Sequence, residues 1–260
     1  MSDALRVALI QLELADGDPD RNLARATALI RGAAPADLYL LPELWSTGYA
    51  HAMWARSAEC DTPRVIAALA RLATERQGAI AGSLISHNAA GALVNRLWLT
   101  GPDGPIATYD KGHLFPPMRE PELLAAGSER GQAALGGWPA ALSICFDLRF
   151  PEQYRLDALD GAELFVVASE WPAERAETLR TLARARAIEN QAYLALCNRT
   201  GVAADGTRFA GGSCIVAPDG SVVADLGEGE AVAIVQLDRS RVAAARSAPL
   251  LALRRRGLDY

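Results

Sequence analysis

Three side chains able to do nucleophilic chemistry each sit where an apolar, strand-like run ends: Glu43 after Leu38–Leu41, Lys111 after Ile106–Tyr109, and Cys145 closing Ala140–Cys145. Ligands of open α/β sheets bind beyond the carboxyl ends of strands, so the three can converge from separate strands into one crevice. Singly, each has an ordinary reading. A free cysteine is commonly a small buried hydrophobe, and a strand-ending carboxylate is often a solvated edge or a helix cap. Together they are the parts needed to break an amide: a nucleophile, a proton carrier and a donor site for the developing oxyanion. A thiol becomes a strong nucleophile when an adjacent base takes its proton. Glu43 can be that base, then protonate the leaving ammonia and activate water. Lys111 suits the oxyanion, together with the backbone N–H of Phe146 just after the thiol.

A composition bias sharpens the reading of Lys111. Of the 26 basic residues 25 are arginine, and Lys111 is the only lysine. Guanidinium does equally well on a solvated surface, so a chain that keeps one ammonium marks a place where guanidinium will not serve. Arginine is planar, delocalised and effectively always charged, whereas an ammonium is a compact point charge. It focuses that charge on one oxygen, which a bulkier guanidinium would hold off position.

The elements that must position these groups alternate between strands and helices. Leu5–Glu13 reads as a buried strand, and Asp18 with Pro19 starts a helix over Asp20–Arg31 that stops at Gly32. Leu38–Leu41 is a strand, Thr62-Pro63 starts a helix to about Gln77, and strands follow at Ala79–Ile85, Val94–Thr100 and Ile106–Tyr109. Gly112–Gly137 reads as irregular, and loops of that length are usually functional or disordered. Beyond it the pattern predicts strands at Ala140–Cys145, Leu164–Ala168 and Tyr193–Cys197, with helices from Pro151 to about Asp160 and over Glu174–Gln191. Ser213–Ala217, Val222–Leu226 and Val232–Leu237 close the chain as an antiparallel set. This order implies a layered α/β sandwich. No linker composition interrupts it, so residues 1–260 read as a single domain.

Composition excludes several classes. The net charge is −5 and the arginines are scattered except at Arg254-Arg255-Arg256, which argues against nucleic-acid binding. No apolar run approaches the ~20 residues of a membrane span, and the start of the chain does not read as a signal peptide. Cys60, Cys145, Cys197 and Cys214 show no metal-ligand spacing and there are only three histidines, so no metal site is expected and a reduced, cytoplasmic protein fits. Cys197 and Cys214 read as buried structural thiols, and Cys60 as a loop cysteine with no base nearby in sequence.

Leu41-Pro42-Glu43, the run Tyr109–Phe115 around Lys111, and Ser143–Glu152 around Cys145 together resemble the nitrilase superfamily of carbon–nitrogen hydrolases. Trp171-Pro172, Ala185–Gln191, Gly211-Gly212-Ser213 and the closing Arg255-Arg256 with Tyr260 match in the same order over nearly the whole chain. The resemblance implies a four-layer αββα sandwich that pairs into a homodimer or larger assembly. It also implies a Glu–Lys–Cys set, Glu43, Lys111 and Cys145, with no metal or organic cofactor. A second glutamate belongs in the loop after the lysine, seven residues before a glycine. Glu120 meets that offset to Gly127, with Glu122 as the competitor, and is favoured as a charge partner for Lys111. Phe146, Arg149 and Trp171 are the expected substrate-binding residues. Arg149 is a candidate for a substrate carboxylate or for a structural ion pair with Asp147, and His113 reads as a loop-fixing side chain.

Within the superfamily the chain looks most like the ω-amidase branch, whose substrates are small 2-oxoacid amides such as 2-oxoglutaramate. It departs from that branch at Glu170, where asparagine is expected, and at Pro116-Pro117. An N-carbamoyl amino acid hydrolase or another aliphatic amidase is the nearest alternative. An acyltransferase, or a non-catalytic binding or assembly module of the same fold, is the alternative of a different kind.

Overall fold

The computed structural model describes residues 3–247. The closing stretch Arg254–Tyr260, with its Arg255-Arg256 and Tyr260 match, lies outside the described residues. Two six-stranded mixed sheets pack face to face with helices on their outer faces, giving an αββα sandwich. The first sheet has β1 (Ala4–Gln11), β2 (Leu38–Leu40) and β3 (Ala79–His87) running parallel at its centre. Antiparallel β12 (Ala231–Asp238) flanks them on one side, and β4 (Leu93–Gly101) and β5 (Gly104–Asp110) on the other. The second sheet repeats the plan, with β7 (Trp138–Ile144), β8 (Leu164–Ser169) and β9 (Tyr193–Asn198) parallel. Its flanks are β6 (Gly131–Leu135) on one side and β10 (Cys214–Val216) and β11 (Val222–Asp225) on the other.

β1 is an apolar run rather than an alternating one because both of its faces are covered. Leu5, Val7 and Leu9 enter the core between the sheets, while Ala8 and Ile10 pack under the helices. Those helices are α1 (Pro19–Gly32), which contributes Ala26 and Ile30, and α3 (Thr62–Arg76), which contributes Val65, Leu69 and Leu72. On the second sheet the outer layer is α5 (Pro151–Leu159) and α6 (Ala176–Asn190), whose Leu179, Ala183 and Ala187 join the main core. Among the described residues no helix is long and apolar enough to cross a membrane.

Asp18 caps α1 as its position suggests, accepting from the backbone N–H of Arg21 at 3.0 Å. Thr62 does not cap α3. The chain enters α3 from a short helix α2 (His51–Arg56) through a wide π turn at Ser57–Asp61, and the Thr62 hydroxyl instead donates to the Ile85 carbonyl at 2.6 Å. The α2 start has no side-chain cap at Ala50, so no local signal announces it. The stretch expected to be irregular also holds order: a 3-10 turn at Pro116–Met118, a short α4 (Glu120–Leu123), and β6. β6 turns into β7 through Gly136-Gly137, both at positive φ (56° and 88°), the two-residue hairpin geometry that glycine pairs favour. The last described helix, α7 (Arg239–Arg246), is capped by Asp238 and had no counterpart in the sequence reading.

Candidate active site

The groups singled out at strand ends come together. Pro42 and Glu43 follow β2, where the Glu43 N–H donates to the Ser169 carbonyl at the end of β8 (3.3 Å) and the Leu44 N–H to Ser83 Oγ (2.8 Å). Lys111 follows β5, its N–H on the Asn95 carbonyl and its carbonyl accepting from Gly127, each at 2.9 Å. β7 ends at Ile144, one residue short of expectation, and Cys145 opens a 3-10 turn with φ of 46°. Non-glycine residues rarely adopt positive φ, and such strain gathers at functional sites. Two of the five described cases, Gln77 and Gln191, simply end helices. The other three are Leu44, Arg119 and Cys145, so each flanks or is a candidate residue.

Asp147 locks the Cys145 turn to the lysine loop. It accepts from the Ile144 N–H (2.9 Å), the Tyr109 hydroxyl (2.8 Å), and the N–H and Nδ1 of His113 (2.9 and 2.8 Å). His113 also stacks on Phe150 at 3.6 Å, which is the loop-fixing role read for it. With Asp147 so engaged, the alternative of an Asp147–Arg149 ion pair is not realised. Arg149 lies over the Trp171 ring instead, at 5.3 Å.

Lys111 Nζ donates to Glu43 Oε1 and to Glu120 Oε1, both at 2.8 Å, and all three side chains are fully buried. Glu120 is further held by the Tyr49 hydroxyl (2.9 Å) and the Phe115 N–H (2.6 Å). Glu43 Oε1 also takes Asn95 Nδ2 at 2.7 Å, and its Oε2 takes the Glu170 N–H at 3.1 Å. Glu122, the competitor, is exposed and pairs with Arg119. The Cys145 thiol and the Glu43 carboxylate are close enough to shift each other's proton affinity. Burial pushes the Glu43 carboxyl up, with Lys111 pulling the other way. Burial works against the Lys111 charge, but Glu120 and Glu43 outweigh it and raise its proton affinity. Burial and the Glu43 charge push the Cys145 thiol well up, opposed by Lys111. The resting thiol therefore keeps its proton and has a carboxylate in contact to receive it.

A cavity of about 240 Å³, counting its open mouth, lies over Cys145. Phe115, Phe146, Trp171 and Pro172 form its walls, and Arg149 and Arg175 flank it, the latter 5.4 Å over the Phe115 ring. The Trp171 indole N–H has no hydrogen-bond partner among the described residues. Phe146, Arg149 and Trp171 thus all line the space next to the thiol. The sequence reading missed Tyr49, Asn95, Phe115 and Arg175. Asn95 alone left a trace, as a polar residue in an otherwise apolar strand.

A thiol, a carboxylate and an ammonium buried at the strand ends of an αββα sandwich are the parts of an acyl-transfer site. The carbon–nitrogen hydrolase family model matches residues 6–247, and the chain belongs to that family, whose members hydrolyse carbon–nitrogen bonds other than peptide bonds. It is 34% identical over 242 residues to the 2-oxoglutaramate amidase of Bacillus subtilis, covering 92% of this chain and 93% of that one. To an omega-amidase of Yersinia enterocolitica it is 37% identical, covering 90% and 88% of the two chains. A CN-hydrolase superfamily protein from Xanthomonas campestris, solved with an arsenic adduct in its active site, superposes with a TM-score of 0.93 at 31% identity over the whole of both chains.

Proposed function

We propose that the chain is an ω-amidase-type hydrolase that cleaves the terminal amide of a small 2-oxoacid amide to the 2-oxoacid and ammonia. The observation that carries this is the buried contact of Lys111 with Glu43 and Glu120 beneath a small cavity flanked by two arginines. Glu43 takes the thiol proton as Cys145 Sγ attacks the amide carbonyl. The oxyanion forms against Lys111, whose ammonium has a third proton beyond the two spent on carboxylates, and against the Phe146 N–H. Glu43 returns the proton to the departing ammonia, leaving a thioester. It then takes a proton from water, which attacks the thioester and frees the acid and the thiol. Glu120 holds Lys111 in place.

At the far end of the substrate, Arg149 and Arg175 suit a carboxylate, and the free Trp171 N–H suits an acceptor beside it. A two-arginine mouth favours an acid amide over a neutral one. We further take residues 1–260 as one hydrolase domain, working in the cytoplasm as a homodimer or larger homo-oligomer. All four cysteines are free, as a reducing compartment keeps them. Ammonia release across 2-oxoacid amides, carbamoyl amino acids, neutral amides and nitriles tests the substrate class. Highest kcat/KM on a 2-oxoacid amide is expected. Preference for a carbamoyl amino acid or a neutral amide would overturn it, and a monomer by light scattering would overturn the assembly.

A further inference from the structure

Glu170 sits in this site without a part in the chemistry above. Its peptide N–H meets Glu43 Oε2 at 3.1 Å and lies close enough to the Cys145 sulfur to favour its thiolate. It borders the cavity, and its side chain is fully buried, with both carboxyl oxygens 3.4 Å from Arg199 Nη1. Arg199 is fully buried too. The same Nη1 binds Asp16 at 2.9 Å, and the guanidinium lies 4.2 Å over the Phe209 ring. Asp16 in turn accepts from the Ala204 N–H at 2.9 Å.

One fully buried and one partly exposed carboxylate on a buried guanidinium make a poor stabilising device, because desolvation offsets much of the attraction and apolar replacements of such groups are often neutral or better. What the arrangement does is grip the one residue whose N–H lies on the catalytic carboxylate. Glu43 Oε1 is taken up by Lys111 and Asn95. The Glu170 N–H holds Oε2, so the carboxylate is fixed at both oxygens. We propose that Glu170, anchored through Arg199 to Asp16, is a positioning residue that aims Glu43 Oε2 at Cys145 for proton transfer. The proposal rests on the reading of Glu43 as the base. Without the anchor the carboxylate turns, so proton transfer slows while the Phe115, Phe146 and Trp171 walls and the flanking Arg149 and Arg175, and with them substrate binding, stay in place.

Glu170→Ala and Glu170→Gln are compared by kcat and KM for ammonia release and by the rate of iodoacetamide alkylation at Cys145, located by mass. Glu170→Ala is expected to lower kcat and the alkylation rate at least ~10-fold, as small misplacements of reacting groups do, with KM within ~2-fold. Glu170→Gln, whose amide oxygen still accepts from Arg199, is expected to restore both rates to within ~3-fold. Should Glu170→Ala not fold, Glu170→Asp withdraws the carboxyl from Arg199 by one methylene and carries the same expectation. An unchanged kcat, or a raised KM at unchanged kcat, would overturn the proposal. Glu43→Gln separates the two readings. If it abolishes turnover while Glu170→Ala does not, only the positioning role fails. If it is active, the assignment of the base fails.

Discussion

Two buried clusters in this protein each set one cation against two carboxylates, and they do it differently. Lys111 holds Glu43 and Glu120 at 2.8 Å each, whereas Arg199 holds Asp16 at 2.9 Å and Glu170 at 3.4 Å while lying over Phe209. A guanidinium spreads its charge over a plane and suits a permanent grip. An ammonium concentrates its charge and keeps a third proton free. On the proposed mechanism the contrast accounts for a composition of 25 arginines and one lysine: the single ammonium stands beside the thiol, where charge would develop on one oxygen of the substrate. The Glu170 N–H joins the two clusters, and on the proposed reading one does the chemistry while the other holds it in aim.

Three experiments break or sharpen this contrast. Lys111→Arg should give a folded protein with activity down at least ~10²-fold, the usual cost of losing an oxyanion donor. Retention of more than about half the activity would mean the two cations are interchangeable and the oxyanion is held elsewhere. Arg199→Lys keeps charge in the second cluster but loses the plane over Phe209. Its kcat should fall ~3- to 10-fold with KM steady, and a loss as large as that of Lys111→Arg would erase the distinction. The smallest effect is on pH dependence. With Glu43 as the proposed base, activity needs it ionised, and burial raises its proton affinity. The acid limb of kcat/KM should therefore lie above the ordinary carboxylate range, with activity lost as pH falls through it. A limb at or below pH ~4.5 would place an ordinary carboxylate in the role.

The cysteines show how far sequence reached. Cys145, Cys197 and Cys214 all read as apolar-strand residues, and all three are buried. Burial pushes the Cys197 and Cys214 thiols up to about 12, Cys214 with help from its cross-strand neighbour Asp225, and neither lies beside the Glu43–Lys111 pair. Cys145 alone leaves its strand, at a left-handed φ, to meet Glu43. That position was legible because an apolar run stopped there, as at Glu43 and Lys111. Glu120 was legible only through its spacing to Gly127, since burial and not type separates it from Glu122. Tyr49 was not legible, because its hydroxyl reaches Glu120 only through the fold of the α2 entry, which carries no capping signal. Glu170 showed as an anomaly, but its partners Arg199 and Asp16 lie 29 and 154 residues away in sequence. The β6–β7 hairpin could have been read from Gly136-Gly137, and the low β propensity of Gly131–Leu135 hid it.

The central claim is that Cys145 is the nucleophile, and partial alkylation tests it most directly. The protein is treated with limiting iodoacetamide, residual ammonia release is measured, and each cysteine's modification is quantified by peptide mass. Activity should fall in proportion to modification at Cys145 and be untouched by modification at exposed Cys60. Full activity with Cys145 modified, or activity lost in step with Cys60, would contradict the account.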